Sequence, residues 1–174
     1  SARVMQISIE KFTLIGATTR LGLLSRPLRD RFGIPLQLEF YQPNELKEII
    51  NMNSEKLQIK IENSASYEIA KRSRGTPRIA IRLLKRIIDF SVVQNSHTIN
   101  MNVVLSSLKQ MGIDSEGLDD MDRKYLKCIY ENYSGGPVGV ESLSAALLEQ
   151  RDIIEDVIEP YLMQRALVQR TSRG

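Results

Sequence analysis

The sequence predicts an α/β fragment, then an all-α domain, then a domain with the element order of a winged helix, so the chain should be mostly helical. Three observations predict this order. Short apolar runs stand in residues 12–40, helical periodicity with capping residues begins near residue 43, and three further helical patterns and a last apolar run occupy residues 114–174. Short or alternating apolar runs are typical of strands, whereas apolar spacings of three and four indicate helices.

The N-terminal part of the chain is predicted to contain strands. The run "FTLIGATT" (12–19) is apolar and ends in small and polar residues, which is typical of a buried strand, and "IPLQLEF" (34–40) alternates apolar and polar positions. The residues between them are too many for a tight hairpin and favour a parallel crossover. "MQISIEKF" could supply one more strand. Between the strands, "PLRDRFG" (27–33) indicates a charged, solvated loop.

Helices follow from residue 43 to 113. The first begins at Pro43 and Asn44, and a second, "NSASYEIAKRSRG", ends at Gly75. In "TPRIAIRLLKRIIDFSVV", Thr76 is the predicted N-cap and Pro77 the first helical residue. Its apolar stripe consists of Ala80, Leu83, Leu84, Ile87 and Ile88. The helix "INMNVVLSSLKQMG" closes this domain.

The last domain begins after the acidic stretch "DSEGLDD". Three helical patterns, "DDMDRKYLKCIYENY", "VESLSAALLEQ" and "RDIIEDVIEPYLMQRAL", are followed by "LVQRTSRG", which is predicted to start a strand. Three helices and then a strand are the order of a winged helix, although three-helix domains that do not bind DNA share this pattern. Residues 114–174 are acidic overall and residues 43–113 are basic, so charge alone is weak support for nucleic-acid binding.

The composition argues against several classes of protein. With one cysteine, Cys128, and one histidine, His97, neither a disulfide framework nor a structural zinc site is predicted. Spacing alone leaves a Cys–His pair open, but the apolar helical pattern around Cys128 indicates packing. No apolar run is long enough to span a membrane, and no signal-peptide core is present, so we expect a cytoplasmic protein without membrane contact.

The sequence contains no complete nucleotide-binding motif. The pattern G-x-x-x-x-G-K-[ST] is absent, and in "GIDSEGLD" Leu118 stands where the lysine is required. No apolar run ends in Asp-Glu to hold magnesium. We therefore expect that this chain alone neither binds nor hydrolyses ATP.

Polar residues around the predicted strands are nevertheless suited to phosphate chemistry. Thr18 and Thr19 end a strand, where a hydroxyl can orient an attacking water, and Arg29 and Arg31 could reach a neighbour's phosphate. The alternative is that Arg29, Asp30 and Arg31 form surface ion pairs of little energetic value. Arg78 follows a helix start, where the helix dipole disfavours a cation unless an anion binds, although a solvated arginine explains it equally well.

Several segments together resemble one protein family. "FTLIGATTR", "PLRDRFGI", "LEFYQ", "KRSRGTPRIAIRLLKR", "MDRKYL", "GGPVG", "IEDVIEPYLMQ" and "QRTSRG" are similar, in order and spacing, to the RuvB family of AAA+ motors, which drive branch migration of Holliday junctions in bacteria. The similarity covers roughly the second half of such a protein. It implies that residues 1–42 end an AAA+ core, residues 43–113 form the lid and residues 114–174 form a winged-helix domain with a truncated wing.

The resemblance also implies roles for individual residues. Thr19 matches sensor 1 and Arg31 the arginine finger, and both would be catalytic. The nucleotide would be contacted by Arg31, by Tyr41 at the hinge into the lid and by Arg78 as sensor 2. Arg170 matches a DNA-contacting residue, and Arg173, in the same segment "QRTSRG", is the second expected DNA contact. Ser172 stands where the family commonly has proline.

The implied whole protein is an ATP-hydrolysing DNA helicase that acts in recombination and repair. It would use ATP/ADP with Mg²⁺ and form a homohexamer on junction and duplex DNA, with RuvA and RuvC as partners, and the region that contacts RuvA would lie outside this chain. Two alternatives are another AAA+ DNA-processing ATPase, such as a clamp-loader subunit, and a stand-alone winged-helix DNA-binding protein. The second would leave "GATTR", "RDRFG" and "GTPR" without a function.

Overall fold

The computed structural model describes residues 9–19 and 21–172, and these residues belong to two compact units, Ser1–Leu38 and Glu39–Gly174, which are described separately. The first unit contains a 3₁₀ turn, Leu21–Leu23, and one short helix, α1 (Arg26–Arg31). The second unit contains the remaining helices, and its residues fold around two hydrophobic cores.

The strands predicted in residues 12–19 and 34–40, which lie in the first unit except for residues 39–40, are not present among the described residues. The backbone there forms no ladder, and the apolar side chains are exposed, with Ile15 at 88% and Leu38 at 94%. A strand is stabilised by hydrogen bonds to a neighbouring strand and by burial of one face, and the described residues of this unit provide neither. Most of "MQISIEKF" lies outside the described residues.

The segment predicted as a charged loop contains the helix α1 instead. Pro27 stands at the start of α1, where its missing N–H costs no helical hydrogen bond, and the backbone N–H of Phe32 donates to the carbonyl oxygen of Arg29 at the other end. The Phe32 ring packs against Gly16, where an added Cβ would lie 3.1 Å from Cζ. The glycine therefore allows the segment that ends in Thr18 and Thr19 to approach the end of α1.

Four helices and a short parallel strand pair build the first core of the second unit. They are α2 (Pro43–Lys56), β1 (Lys60–Ile61), α3 (Asn63–Lys71), α4 (Pro77–Val93), β2 (Thr98–Ile99) and α5 (Met101–Gln110). In the strand pair, Lys60 lies opposite Thr98 and Ile61 opposite Ile99. The predicted apolar stripe of α4 is confirmed, because Ala80, Leu83, Leu84 and Ile87 are buried and Ile88 packs against them.

The second core lies within the predicted winged-helix region. It is formed by α6 (Asp120–Tyr133), α7 (Val140–Leu147), α8 (Arg151–Ile153) and α9 (Glu159–Gln164), with the π-helical turn Ile154–Ile158 joining the last two into one continuous helical segment. Cys128 is buried in this core, which confirms that it packs. The strand predicted after α9 is not present: residues 168–171 pair with no strand in the described part of the chain. Within the same part, no helix is long and apolar enough to cross a bilayer.

Candidate nucleotide and DNA contacts

The two predicted catalytic residues lie in the first unit. Thr19 stands at an exposed bend, and Arg31 is the exposed last residue of α1. Among the described residues, neither Arg29 nor Arg31 forms an ion pair, so the alternative of a surface ion-pair cluster with Asp30 is not supported. Both arginines lie in the last turn of α1, where the partial negative charge of the helix end favours a cation. Their guanidinium groups are therefore open to an anion.

The two predicted nucleotide contacts of the second unit are joined through one turn. The backbone N–H of Tyr41 donates to the carbonyl oxygen of Gly75 at 2.9 Å. Gly75 has φ +66°, and a Cβ added there would lie 2.7 Å from Cβ of Phe40. Only glycine allows this approach without strain. Residues 40–41 are thus fixed against the turn that leads into α4 and Arg78.

The first turn of α4 offers backbone donors without a side-chain cap. Thr76 occupies the N-cap position as predicted, but its hydroxyl donates to the carbonyl oxygen of Arg74 at 3.2 Å and caps no N–H group. Arg78 is exposed one residue after Pro77. Uncapped N–H groups at a helix start favour an anion. Arg78 also lines an open cleft of about 540 Å³ along α4, with Ile81, Arg82, Lys85, Arg86 and Asp89.

The predicted DNA contact Arg170 is held by two carboxylates. Its Nε donates to Oε2 of Glu159 at 2.9 Å, and Nη2 lies 3.3 Å from Oε1 of Glu155. Glu159 is buried, and its other oxygen accepts a hydrogen bond from the Tyr125 hydroxyl at 2.9 Å. Burial and the bond to Glu159 raise the pKa of Tyr125, so this hydroxyl remains a donor. Arg173 lies outside the described residues.

This arrangement fixes Arg170 rather than removing it from solvent. The side chain is 54% exposed, and among the described residues it donates through Nε and Nη2, so its Nη1 donors can bind a further acceptor. A guanidinium carries five N–H donors, so one face can bind carboxylates while another binds a phosphate. The site can therefore present a preoriented cation to an anionic backbone.

One charged group that the sequence did not indicate lies between the two cores. Arg74 Nε donates to the carbonyl oxygen of Gly117 at 3.1 Å, and Nη2 binds Asp119 at 3.2 Å and also Asp122. The guanidinium carbon lies 4.7 Å from the centroid of the Tyr161 ring. We call these five residues the Arg74 cluster.

The Arg74 cluster contains a buried carboxylate. The side chain of Asp122 is 1% exposed and that of Arg74 is 14% exposed. Burial raises the pKa of Asp122, while the backbone N–H of Asp119 and the Arg74 guanidinium oppose that rise. Asp119 and Asp122 form a capping box at the start of α6. That box could have been predicted from "DDMD", but its arginine partner, 45 or more residues away, could not. No group of three or more candidate metal ligands occurs within the residues described.

Family models match three consecutive parts of the chain. The model of the Holliday junction DNA helicase RuvB P-loop domain matches residues 1–38, that of the RuvB AAA lid domain residues 41–114, and that of the RuvB C-terminal winged helix domain residues 115–174. All three models describe domains of RuvB, and none of these three describes a clamp-loader subunit or a stand-alone winged-helix protein.

Curated relatives and solved structures agree with these models. The chain is 56% identical over all 174 residues to the Holliday junction branch migration complex subunit RuvB of Orientia tsutsugamushi (strain Boryong), covering 54% of it, and 56% identical to that of Rickettsia africae, covering 51% of it. The Thermotoga maritima RuvB Holliday junction branch migration motor superposes with a TM-score of 0.89 and 54% identity, over 95% of this chain and 56% of that one. The chain therefore spans about half the length of the relatives it matches.

Proposed function

The chain belongs to the RuvB family, and from that premise we propose that it forms the lid, the winged-helix domain and the end of the ATPase core in an ATP-dependent motor that drives branch migration of Holliday junctions. The proposed division is 1–42, 43–113 and 114–174. In this proposal Thr19 orients the attacking water, Arg31 acts on the ATP of a neighbouring subunit, and Tyr41 and Arg78 contact the nucleotide held with Mg²⁺ elsewhere in the subunit.

The observation that carries the proposal is the junction of Tyr41 with the turn before Arg78. The 2.9 Å hydrogen bond from Tyr41 to Gly75 joins the hinge to the start of α4, so a nucleotide at the hinge would also meet Arg78 and the uncapped helix start. Loss of the terminal phosphate would then change the contacts that the nucleotide makes with Tyr41 and with Arg78. This gives hydrolysis a direct mechanical effect on the lid.

The proposed setting is a cytoplasmic homohexamer on junction and duplex DNA, with RuvA and RuvC as partners. The test uses a full-length subunit that carries this sequence, a synthetic four-way junction with labelled arms and a RuvA-type junction-binding protein. We expect ATP-dependent conversion of the junction into duplexes, and none with a non-hydrolysable analogue. Sequence-specific duplex binding that does not respond to ATP would instead support a stand-alone winged-helix regulator.

A nucleotide should not stabilise this chain by itself. The expected result is no magnesium-dependent rise in Tm when the 174-residue chain is heated with about 10 mM ATP, because the phosphate loop and magnesium ligands are absent from its sequence. A site with Kd below 1 mM would add RT ln(1 + [L]/Kd) to the free energy of unfolding, on the order of 1.4 kcal/mol or more, which a melting curve detects. A clear rise would show that the chain contains a nucleotide site of its own.

Arg170→Ala should weaken DNA binding about equally on unrelated sequences. Arg170 presents its exposed donors to phosphates, which carry no sequence information, so the salt slope of log K should fall by about one. The measurement is fluorescence anisotropy on several duplexes at different salt concentrations. Arg151→Ala is the matched control, since Arg151 also pairs with Glu155 and is 54% exposed. A loss confined to one sequence, or an equal loss in the control, would contradict the role of Arg170.

A further inference from the structure

Arg74 is the side chain through which the turn before α4 contacts the winged-helix region. Its partners in the Arg74 cluster come from the stretch 117–122 and from Tyr161 in α9, whereas its backbone belongs to the lid. A guanidinium combines a planar fork for carboxylates with a flat face for an aromatic ring. The cluster uses both properties, so no other side chain can make all of these contacts.

The same contacts hold an unusual backbone conformation. Arg74 has φ +54°, and Gly75, which follows it, has φ +66°. A residue with a side chain seldom adopts this left-handed region, and it persists there where surrounding contacts determine it. In Arg74 the guanidinium makes the contacts to distant residues, while two local bonds from Thr76 also close the turn, one from its N–H to the carbonyl oxygen of Ser73 at 3.0 Å and one from its hydroxyl to that of Arg74 at 3.2 Å. The turn that they hold presents the carbonyl oxygen of Gly75 to Tyr41 and begins the helix that carries Arg78.

We propose that Arg74 is a positioning residue that couples the winged-helix domain to the nucleotide-contacting turn, so that DNA bound by that domain changes the rate of ATP hydrolysis. The inference rests on the proposed function, because it takes Tyr41 and Arg78 as nucleotide contacts and Arg170 as a DNA contact. Arg74 itself touches neither ligand. It acts by fixing the turn and the start of α6 to each other.

Burial makes this connection rigid. Asp122 is almost fully buried, and it also accepts the backbone N–H of Asp119 at 2.9 Å. Separating Arg74 from Asp122 would leave a buried carboxylate without its counter-ion, which is far more costly than losing a surface pair. Displacement of the turn therefore moves the start of α6 with it. By reciprocity, a ligand that favours one position of the winged-helix domain favours one position of the turn.

The test compares two substitutions of Arg74 in the full-length subunit. Both Arg74→Ala and Arg74→Gly remove the guanidinium, but glycine adopts the left-handed conformation freely and alanine does not. We expect both variants to reduce the stimulation of ATP hydrolysis by duplex DNA by about five-fold or more, the lower end of typical coupling. Arg74→Gly should retain an ATP Kd closer to the wild-type value than Arg74→Ala. Arg151→Ala, an exposed arginine paired within the winged-helix region, should keep full stimulation.

A distance measurement tests the connection without reference to activity. Spin labels at Lys85→Cys in α4 and Glu131→Cys in α6, both exposed, are placed in a background without other reactive cysteines. The distance distribution should be narrow in the parent and broader in both Arg74 variants. If Arg74→Ala does not fold, Arg74→Lys replaces it: lysine keeps the charge but cannot contact both carboxylates, Gly117 and the ring, so a broader distribution and reduced stimulation are still expected.

Each result either supports or contradicts the coupling role of Arg74. Unchanged distance distributions in the Arg74 variants would show that the connection does not depend on this side chain. Broader distributions with full DNA stimulation would show that the connection exists but does not couple the ligands, and either result overturns the proposal. A wild-type protein without DNA-stimulated hydrolysis would refute the proposed function and with it the coupling, while the distances would still show whether Arg74 holds the two regions together.

Discussion

Replacing Arg31 by alanine in the full-length protein is expected to lower ATP hydrolysis by about 10³-fold or more while leaving ATP affinity nearly unchanged. Arg31 is exposed at the end of α1 and forms no ion pair with the described residues, so its charge is available to another molecule. An arginine finger stabilises charge that develops mainly in the transition state, and its loss therefore lowers kcat rather than binding. The measurement is steady-state hydrolysis beside nucleotide binding.

A mixing experiment shows whether Arg31 acts on its own subunit or on a neighbour. Arg31→Ala subunits are combined with subunits whose phosphate-loop lysine is replaced, each being inactive alone. In mixed rings some interfaces join an intact phosphate loop to an intact Arg31, so activity should partly return. Arg29→Ala is the matched control, since Arg29 lies in the same turn of α1, and a much smaller effect is expected. If subunits exchange but activity returns at no ratio, Arg31 does not act in trans.

The elements that the sequence predicted well carry their signals locally. Helix α4 begins after Thr76 with Pro77 at its start, and the apolar residues at spacings of three and four are the ones that face the core. Each signal depends on residues within one or two turns, and therefore on no distant contact. The same holds for α2, which begins at Pro43 as predicted.

The elements that were predicted wrongly from the sequence depend on partners that are distant along the chain. The runs 12–19 and 34–40 have strand-like composition, but a strand forms only beside another strand, and the described residues of that unit contain none to pair with. The sequence also did not indicate the parallel pair formed by Lys60–Ile61 and Thr98–Ile99, in which each strand is only two residues long. So short a pair leaves no periodic pattern, and its register is set by the helices packed around it.

For the candidate site, the sequence indicated single residues but not their surroundings. The position of Thr76 was predicted, but its hydroxyl binds Arg74 and caps no N–H group. Arg170 was singled out without Glu159, although the two are only 11 residues apart, because a buried glutamate inside a helix looks like any surface glutamate. The roles of Thr19, Arg31, Tyr41, Arg78 and Arg170 stay predictions.

Replacing Gly75 by alanine should destabilise the second unit and weaken ATP binding in the full-length protein. The residue has φ +66°, a conformation that costs a residue with a side chain about 1–2 kcal/mol. The new methyl group would also lie 2.7 Å from Cβ of Phe40, and overpacking of this kind typically costs about 1–3 kcal/mol. Relief of either strain displaces the Gly75 carbonyl oxygen from the backbone N–H of Tyr41, so residues 40–41 lose the hydrogen bond that holds them against the turn before α4.

Two further variants separate the causes of this effect. Gly22→Ala is the control, because an added Cβ there meets no atom within 4 Å and the backbone is not left-handed, so its free energy of unfolding should change little. Gly75→Asn keeps a residue that tolerates the left-handed region but adds the same clash with Phe40. If the clash with Phe40 causes most of the destabilisation, denaturant unfolding should show Gly75→Asn nearly as destabilised as Gly75→Ala. If the backbone dominates, Gly75→Asn should be the milder of the two. An alanine variant with wild-type stability and wild-type ATP affinity would mean that the turn relaxes without cost, and the hydrogen bond from Tyr41 to Gly75 could then not be what joins the hinge to Arg78.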